Sequence, residues 1–135
     1  MLWHIQIEPA PGQMDRLGER LALEASESGH DGPWAIRASR GFLIEGELAR
    51  AELERAALDL LVDPVVEIHS IRPANLRWEG PGTVVHVMPK PGVTDPEGES
   101  ALALLRDLGY PVEMVRTIRT YRIEGPATGL PRIGS

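Results

Sequence analysis

The sequence predicts an α+β fold built from a duplicated β-α-β-β-α-β unit, with antiparallel sheets, helices on one face and a truncated second copy. Two observations lead to this prediction. A spaced pattern of prolines, glycines and acidic residues occurs twice along the chain. Within each copy, short stretches of alternating apolar and polar residues frame a longer stretch with helical periodicity. The chain of 135 residues has the size of one domain or two very small ones.

The repeat is clearest when residues 3–19 are placed over residues 83–99. Two prolines, two glycines, an aspartate and a glutamate then coincide in the same order. After a slip of one residue, 37–46 aligns with 116–125. The alignment predicts a complete unit at 1–72, a linker at 73–82, a truncated unit at 83–125 and a tail at 126–135.

The first unit begins with a half-buried strand at 3–7, where apolar and polar residues alternate. A helix follows the Pro-Ala-Pro-Gly turn, and its inward stripe is Leu17, Leu21 and Ala25. Two strands are predicted at 34–39 and 42–45. An amphipathic helix over 48–62 stops at Asp63-Pro64, and the final strand covers 65–71. The predicted order is β-α-β-β-α-β.

The second unit repeats this order only in part. A strand at 85–87 precedes a helix that Asp95 can cap, with Pro96 at the first helical position. Its predicted inward stripe consists of Ala101, Leu102, Leu105 and Leu108. Gly29 and Gly109 follow the two first helices, where a left-handed residue is favoured. Strands at 114–118 and 121–124 complete this unit.

Each unit alone is small, and domains of this size bury only about 60% of their unfolded surface. We therefore expect the two units to pack through their sheets with the apolar stripes facing inward. The shorter unit leaves a sheet edge that a neighbouring protein would cover.

Composition excludes several classes of function. Fourteen Lys and Arg against twenty Asp and Glu give a net charge of −6, which disfavours nucleic-acid binding. No apolar run approaches the roughly 20 residues of a membrane span, and the first residues lack a secretory pattern. The absence of cysteine excludes disulfides and thiolate sites. We expect a cytoplasmic protein.

No catalytic pattern is visible in the sequence. The four histidines are His4, His30, His69 and His86, and none belongs to a close His-x-x-His or His-x-x-x-His pair. Phosphate-binding loops, nucleophile elbows and dinucleotide fingerprints are also missing. The sequence predicts no catalytic residue, no metal site and no cofactor in this chain.

Arginine pairs recur at matched positions of both units, as Arg37 and Arg40 and as Arg116 and Arg119. The guanidinium fork suits carboxylates on a partner protein. The alternative is that these are exposed strand-end charges that balance an acidic surface.

Three further residues are candidates for partner contacts. Lys90 lies in a Pro-Lys-Pro-Gly turn, where it either meets a carboxylate or phosphate or is simply solvated. Asp95 is better explained as a helix cap than as an acid–base group. Tyr121, matched by Phe42, is expected in the core or in a dimer contact rather than stacked on a ligand.

The second unit resembles the PurS subunit of phosphoribosylformylglycinamidine synthase. The resemblance rests on Pro89-Lys90-Pro91-Gly92, on Asp95-Pro96-Glu97-Gly98 opening a helix, and on residues 115–121. Residues 48–52 and 60–67 resemble the closing half of the same module. The first unit departs from the pattern, with Ala10 in place of the lysine and Asp15-Arg16 in place of Asp-Pro. Fusion of two such units is also unusual for a module that normally pairs as a dimer or higher oligomer.

The resemblance implies a non-catalytic role in an ATP-dependent, glutamine-hydrolysing ligase complex. In that family PurS bridges the glutaminase subunit (PurQ) and the synthetase subunit (PurL), and ATP and Mg²⁺ belong to the synthetase. The partner-binding candidates are Lys90, Asp95, Arg116, Arg119, Tyr121, Arg37 and Arg40. A homo-oligomer is an open alternative. The competing function is a small-molecule-binding regulatory module of ferredoxin-like type, with a small enzyme as the third choice.

Overall fold

Five strands and three α-helices make up the part of the chain that a computed structural model describes, residues 1–28, 34–75, 82–90 and 92–125. A π-helical turn, Ala57–Leu61, continues the second helix. The elements are β1 (Leu2–Pro9), α1 (Arg16–Glu27), β2 (Ala35–Gly46), α2 (Arg50–Ala56), β3 (Glu67–Pro73), β4 (Thr83–Val87), α3 (Pro96–Asp107) and β5 (Val112–Glu124). The strands form one five-stranded antiparallel sheet in the order β3-β1-β2-β5-β4. The predicted α+β class is confirmed.

The two units join edge to edge through β2 and β5, which lie at the centre of the sheet. The expectation that the units pack sheet against sheet is therefore wrong. Arg40 and Arg119, which the repeat alignment equates, lie directly opposite each other in this pair. A pseudo-twofold axis consequently passes between them. Alternating residues specify which face of a strand is buried, but they do not specify which strands share an edge.

Each long central strand replaces two predicted short ones. Residues 34–39 and 42–45 belong to the continuous β2, and 114–118 and 121–124 belong to β5. Gly41 does not make a turn. It lies within β2 where the chain of β1 approaches closely, and a Cβ there would lie 2.1 Å from the carbonyl oxygen of Ile5.

The core fills the space between one face of the sheet and the helices. One cluster packs α2 and α3 on β1, β2 and β5, and Ile5, Ile44, Leu53 and Leu105 are among its most deeply buried members. A second cluster packs α1 on Ile36, Tyr121 and neighbouring residues near β4. The predicted helix stripes are buried or partly buried except for Leu108, which is 58% exposed because it follows the last residue of α3.

Gly109 adopts the predicted left-handed conformation, with φ of 89°. Gly29, His30, most of the predicted linker and the tail from 126 lie outside the described residues. Within the described ranges, none of the helices has the length and apolar character needed to cross a membrane.

Candidate partner-binding surfaces

Asp95 ties the start of α3 to the neighbouring strand β5. Its carboxylate accepts hydrogen bonds from the backbone N–H of Gly98 at 3.1 Å, from the N–H of Thr117 at 2.8 Å and from the Thr117 hydroxyl at 3.0 Å. Burial alone would raise the pKa of Asp95, but these three bonds and the charge of Arg116 outweigh it and lower the pKa. Both oxygens of this carboxylate thus accept hydrogen bonds from within the fold.

The first unit contains the same arrangement. Asp15 accepts hydrogen bonds from the N–H of Gly18 at 2.9 Å and from the N–H of Ala38 at 2.8 Å. At Gly18 a Cβ would lie 2.3 Å from the carbonyl oxygen of Ile36, so only glycine allows the helix to begin this close to the strand. The Asp-x-x-Gly spacing is therefore a device that positions each first helix on the sheet.

Lys90 and Arg116 line the same concavity, of about 190 Å³, beside the start of α3. Lys90 is exposed and Arg116 is half-buried. Asp95, Glu99 and Glu113 also line this concavity. The structure thus brings together two cations that the sequence had singled out separately.

The equivalent place in the first unit is a concavity of about 330 Å³. Arg37, which is exposed, lines it together with Asp15 and the Pro-Ala-Pro-Gly turn. Ala10 stands where the second unit has Lys90, so only one cation occupies this end. The two concavities therefore lie at equivalent places but differ in volume and in the number of cations that line them.

Arg40 and Arg119 have different surroundings despite their equivalent positions. Arg40 donates two hydrogen bonds to the carboxylate of Glu67, at 2.9 and 3.1 Å, and one to the carbonyl oxygen of Leu61 at 3.0 Å. Burial would raise the pKa of Glu67, but the bonds from Arg40 and the N–H of Asp63 lower it. Arg119 is exposed. Arg40 is thus engaged within the fold, whereas Arg119 is accessible.

Tyr121 is only 5% exposed and packs in the core cluster under α1. Phe42 is 3% exposed in the other cluster. The side chain of Tyr121 is therefore a core element and is not available at the surface to a partner.

The face of the sheet that carries no helix contains a polar group that the sequence did not reveal. The rings of His4 on β1 and His86 on β4 meet edge to face, with centroids 5.8 Å apart. In a flat sheet three strand spacings, about 14 Å, would separate β1 from β4. The contact therefore shows that the sheet coils strongly and that this face is concave.

Hydrogen bonds extend the polar group across the concave face. The Nδ1 atom of His86 lies 3.0 Å from the Thr120 hydroxyl, and the side-chain amide of Gln6 donates to Ser39 Oγ at 2.9 Å. Burial lowers the pKa of His4 to about 4, helped by the nearby charges of His86 and Arg72. Burial and then Arg72 also lower the pKa of His86. His4 is therefore neutral at neutral pH.

Alternation places His4 and His86 on the same face of the sheet, which is a signal that the sequence contains. Their contact also requires the coil of the sheet, which it does not reveal. In the part of the chain that the structure describes, no three His, Asp or Glu side chains converge as a metal site would require.

Comparison with known families matches one segment in the second half of the chain. Residues 83–128 match the PurS family, described as phosphoribosylformylglycinamidine (FGAM) synthase. No curated protein and no solved structure is significantly similar to the chain. The segment from β4 through β5 is thus PurS-like. The relation of residues 1–72 to this family remains a prediction from the repeat.

Proposed function

We propose that this chain is a non-catalytic assembly subunit of FGAM synthase that bridges the glutaminase and synthetase subunits, so that ammonia passes between them. The observation that carries the proposal is the PurS match over 83–128. The fold supports it, because the carboxylate that marks the matched motif, Asp95, is used to build the scaffold. What remains exposed around it is charge suited to protein contacts.

Lys90, Arg116 and Arg119 are the residues we propose for these contacts. Lys90 and Arg119 are exposed, and Arg116 lies beside Lys90 in one concavity. Three carboxylates share the concavity with Lys90 and Arg116, so we propose that these cations act as individual donors to the carboxylates of a partner rather than through a positive surface field. Arg37 is the matched position in the first unit and is a weaker candidate, because Ala10 leaves it without a second cation.

Reconstitution of the complete complex tests the bridging role. Glutamine-dependent synthesis should require this chain, whereas synthesis from added ammonia should not. The chain alone should hydrolyse neither glutamine nor ATP. If glutamine-dependent synthesis proceeds at full rate with only the synthetase and glutaminase subunits, the proposal is wrong.

Charge reversal tests the contact residues. Lys90→Glu, or Arg116→Glu together with Arg119→Glu, should raise the concentration of this chain that gives half-maximal glutamine-dependent activity by about tenfold. Arg16→Glu, at an exposed first residue of α1, is the matched control and should have no effect. Thermal melts should show every variant folded, with a lower melting temperature only for the variant containing Arg116→Glu, because the charge of Arg116 stabilises the ionised Asp95. Unchanged half-saturation and maximal activity for the reversed variants would place the partner site elsewhere.

A second candidate function is binding of a small ligand, and the concavity of about 330 Å³ beside Arg37 favours it. That volume lies at the lower limit of ordinary ligand sites. A carboxylate-bearing metabolite such as an amino acid would be the matching chemistry. A rise in melting temperature with amino acids, abolished by Arg37→Ala, would support this function over the assembly role.

A further inference from the structure

The two halves of the sheet end differently beyond the equivalent strands β1 and β4. β3 pairs with the outer edge of β1, whereas no strand among residues 1–28, 34–75, 82–90 and 92–125 pairs with the outer edge of β4. β4 consists of three valines, a threonine and a histidine, a composition with high strand propensity. Natural edge strands are usually blunted by charge or proline, and β4 contains neither.

The pseudo-twofold relation provides a template for what fits this edge. Ile7 lies opposite Arg40 in the β1–β2 pair, and Val87 lies opposite Arg119 in the β4–β5 pair. The repeat aligns Ile7 with Val87. Arg119 is therefore placed relative to β4 as Arg40 is placed relative to β1.

In the first unit, the arginine at this position, Arg40, binds the strand that is added beside β1, which is β3. Arg40 binds the carboxylate of Glu67, which is the first residue of β3, and Glu67 lies two residues before His69, the partner of Ile7. The ion pair is partly buried, with the Glu67 side chain 20% exposed. A carboxylate at the start of an added strand thus fixes its register against the sheet.

The second unit has the equivalent cation, Arg119, but its described residues contribute no carboxylate that pairs with it as Glu67 pairs with Arg40. Alternation along β5 places Arg119 on the same face as Val115, Tyr121 and Ile123, where the helices lie, and its side chain is exposed. It forms no ion pair with the portion of the protein that the structure describes. The site of the missing carboxylate lies just beyond the outer edge of β4.

We propose that the outer edge of β4, together with Arg119, binds an extended segment of another protein. The segment adds antiparallel to β4 and carries an aspartate or glutamate two residues before the residue opposite Val87. Apolar, β-branched residues stand at the first and fourth positions after the carboxylate, as Ile68 and Ile71 do in β3. Main-chain hydrogen bonds supply the general affinity, and Arg119 selects the register. The inference holds whichever protein supplies the segment, and it does not depend on the proposed function.

Charge distinguishes this occupant from two alternatives, a second copy of the chain and residues 126–135 of the same chain. A second copy pairing β4 against β4 would bring no carboxylate to Arg119, because β4 contains none. Residues 126–135 contain no aspartate or glutamate, and they include Pro126 and Pro131, which suit strand addition poorly. A separate protein with an acidic strand start satisfies both the edge and the cation.

The probe for the test is a synthetic peptide with the sequence of residues 63–73, the segment that fills the equivalent edge of the first unit. Bound to the full-length chain, it should slow hydrogen exchange of β4 backbone amides and shift their NMR signals. Arg119→Ala should weaken binding about tenfold, and so should replacing the peptide glutamate by glutamine. The two changes together should weaken it no further than either alone. Arg16→Ala is the control and should bind as the wild type does.

A tethered form covers the case of weak affinity. The same segment fused after Ser135 through a long Gly/Ser linker reaches a millimolar effective concentration. It should raise the melting temperature, and Arg119→Ala should remove the rise. The proposal fails if the fusion gives neither stabilisation nor β4 protection. It also fails if the β4 amides that point away from β5 are already protected in the isolated monomer, if the chain dimerises through β4, or if the peptide glutamate can be replaced without effect.

Discussion

The first and second halves of this sheet share their local architecture and differ at their edges. In both, an aspartate binds the backbone of the helix start and of the adjacent strand, as Asp15 does through Gly18 and Ala38 and Asp95 through Gly98 and Thr117. Among the residues that the structure describes, only the first half carries a strand on its outer side, where Arg40 binds Glu67. Contacts within each half therefore determine the position of its first helix on the sheet. The partner site that we propose rests on the edge of β4, beside which the described residues place no further strand.

This contrast separates two kinds of charged residue that look alike in the sequence. Charges at equivalent positions have equivalent roles only when their surroundings are also duplicated. Asp15 and Asp95 meet that condition, and Arg40 and Arg119 do not. Substitutions made in pairs, one in each half, therefore measure how far the equivalence extends.

The largest effect is expected from adding a methyl group at the helix starts. Gly18→Ala should destabilise the fold by about 3 kcal/mol, because its Cβ would lie 2.3 Å from the backbone oxygen of Ile36. Gly98→Ala should cost less, about 2 kcal/mol, because its closest contact is the Asp95 side chain at 2.6 Å and the backbone oxygen of Val115 is 3.0 Å away. Urea unfolding measures both. Changes within 0.5 kcal/mol of the wild type would show that these helices do not need to approach the strands so closely.

Acid should lower the stability of the fold mainly by protonating His4, which lies in the first half. The pKa of His4 is about 4 in the fold against 6.5 as its ordinary value, so the unfolded chain binds the extra proton more readily. Stability is then complete above about pH 6.5 and falls as the pH is lowered toward 4. The loss at pH 5 is about 2 kcal/mol. Urea unfolding between pH 7.5 and pH 5 measures it.

His4→Gln should flatten this pH dependence, and His86→Gln in the second half should flatten it less, because His86 is more exposed than His4. The measurement stays above pH 5 because Glu67 and Asp95, with lowered pKa values, lose their own stabilisation at more acidic pH. An unchanged slope in His4→Gln would assign the acid sensitivity to other groups.

The smallest effect compares the two arginines at the pseudo-twofold axis. Arg40→Ala should destabilise the chain by about 1.5 kcal/mol, because it leaves the Glu67 carboxylate and the Leu61 carbonyl without this donor. Arg119→Ala should change stability by less than about 0.5 kcal/mol, as is usual for an exposed charge. Thermal and urea unfolding of both variants give the difference. Equal costs would mean that Arg119 is already engaged in the free chain.

The features that the sequence predicted correctly are those that depend on residues close together in the chain. The helix cap at Asp95, the left-handed Gly109 and most of the inward stripes were all visible in residue type and spacing. The PurS resemblance of the second unit, which rests on the same turn and cap residues, is confirmed by the family match over 83–128.

Features that depend on distant contacts were not predicted. Gly41 resembles turn punctuation until the backbone of β1 is placed beside it. Periodicity shows that β2 and β5 each have a buried face, but their pairing with each other is a choice of edge that periodicity does not encode. The meeting of His4 and His86 depends in addition on how far the sheet coils.

The central β2–β5 pair also determines when this protein can fold. It joins Ala35–Gly46 to Val112–Glu124, so its contacts close a loop of most of the chain, and such topologies fold slowly. During synthesis at 5–20 residues per second, β2 exists for roughly 4–16 s before β5 has been made. For that interval the longest strand of the first half presents an open edge. Chaperones and solubility at the ribosome therefore matter more to this protein than its modest size suggests.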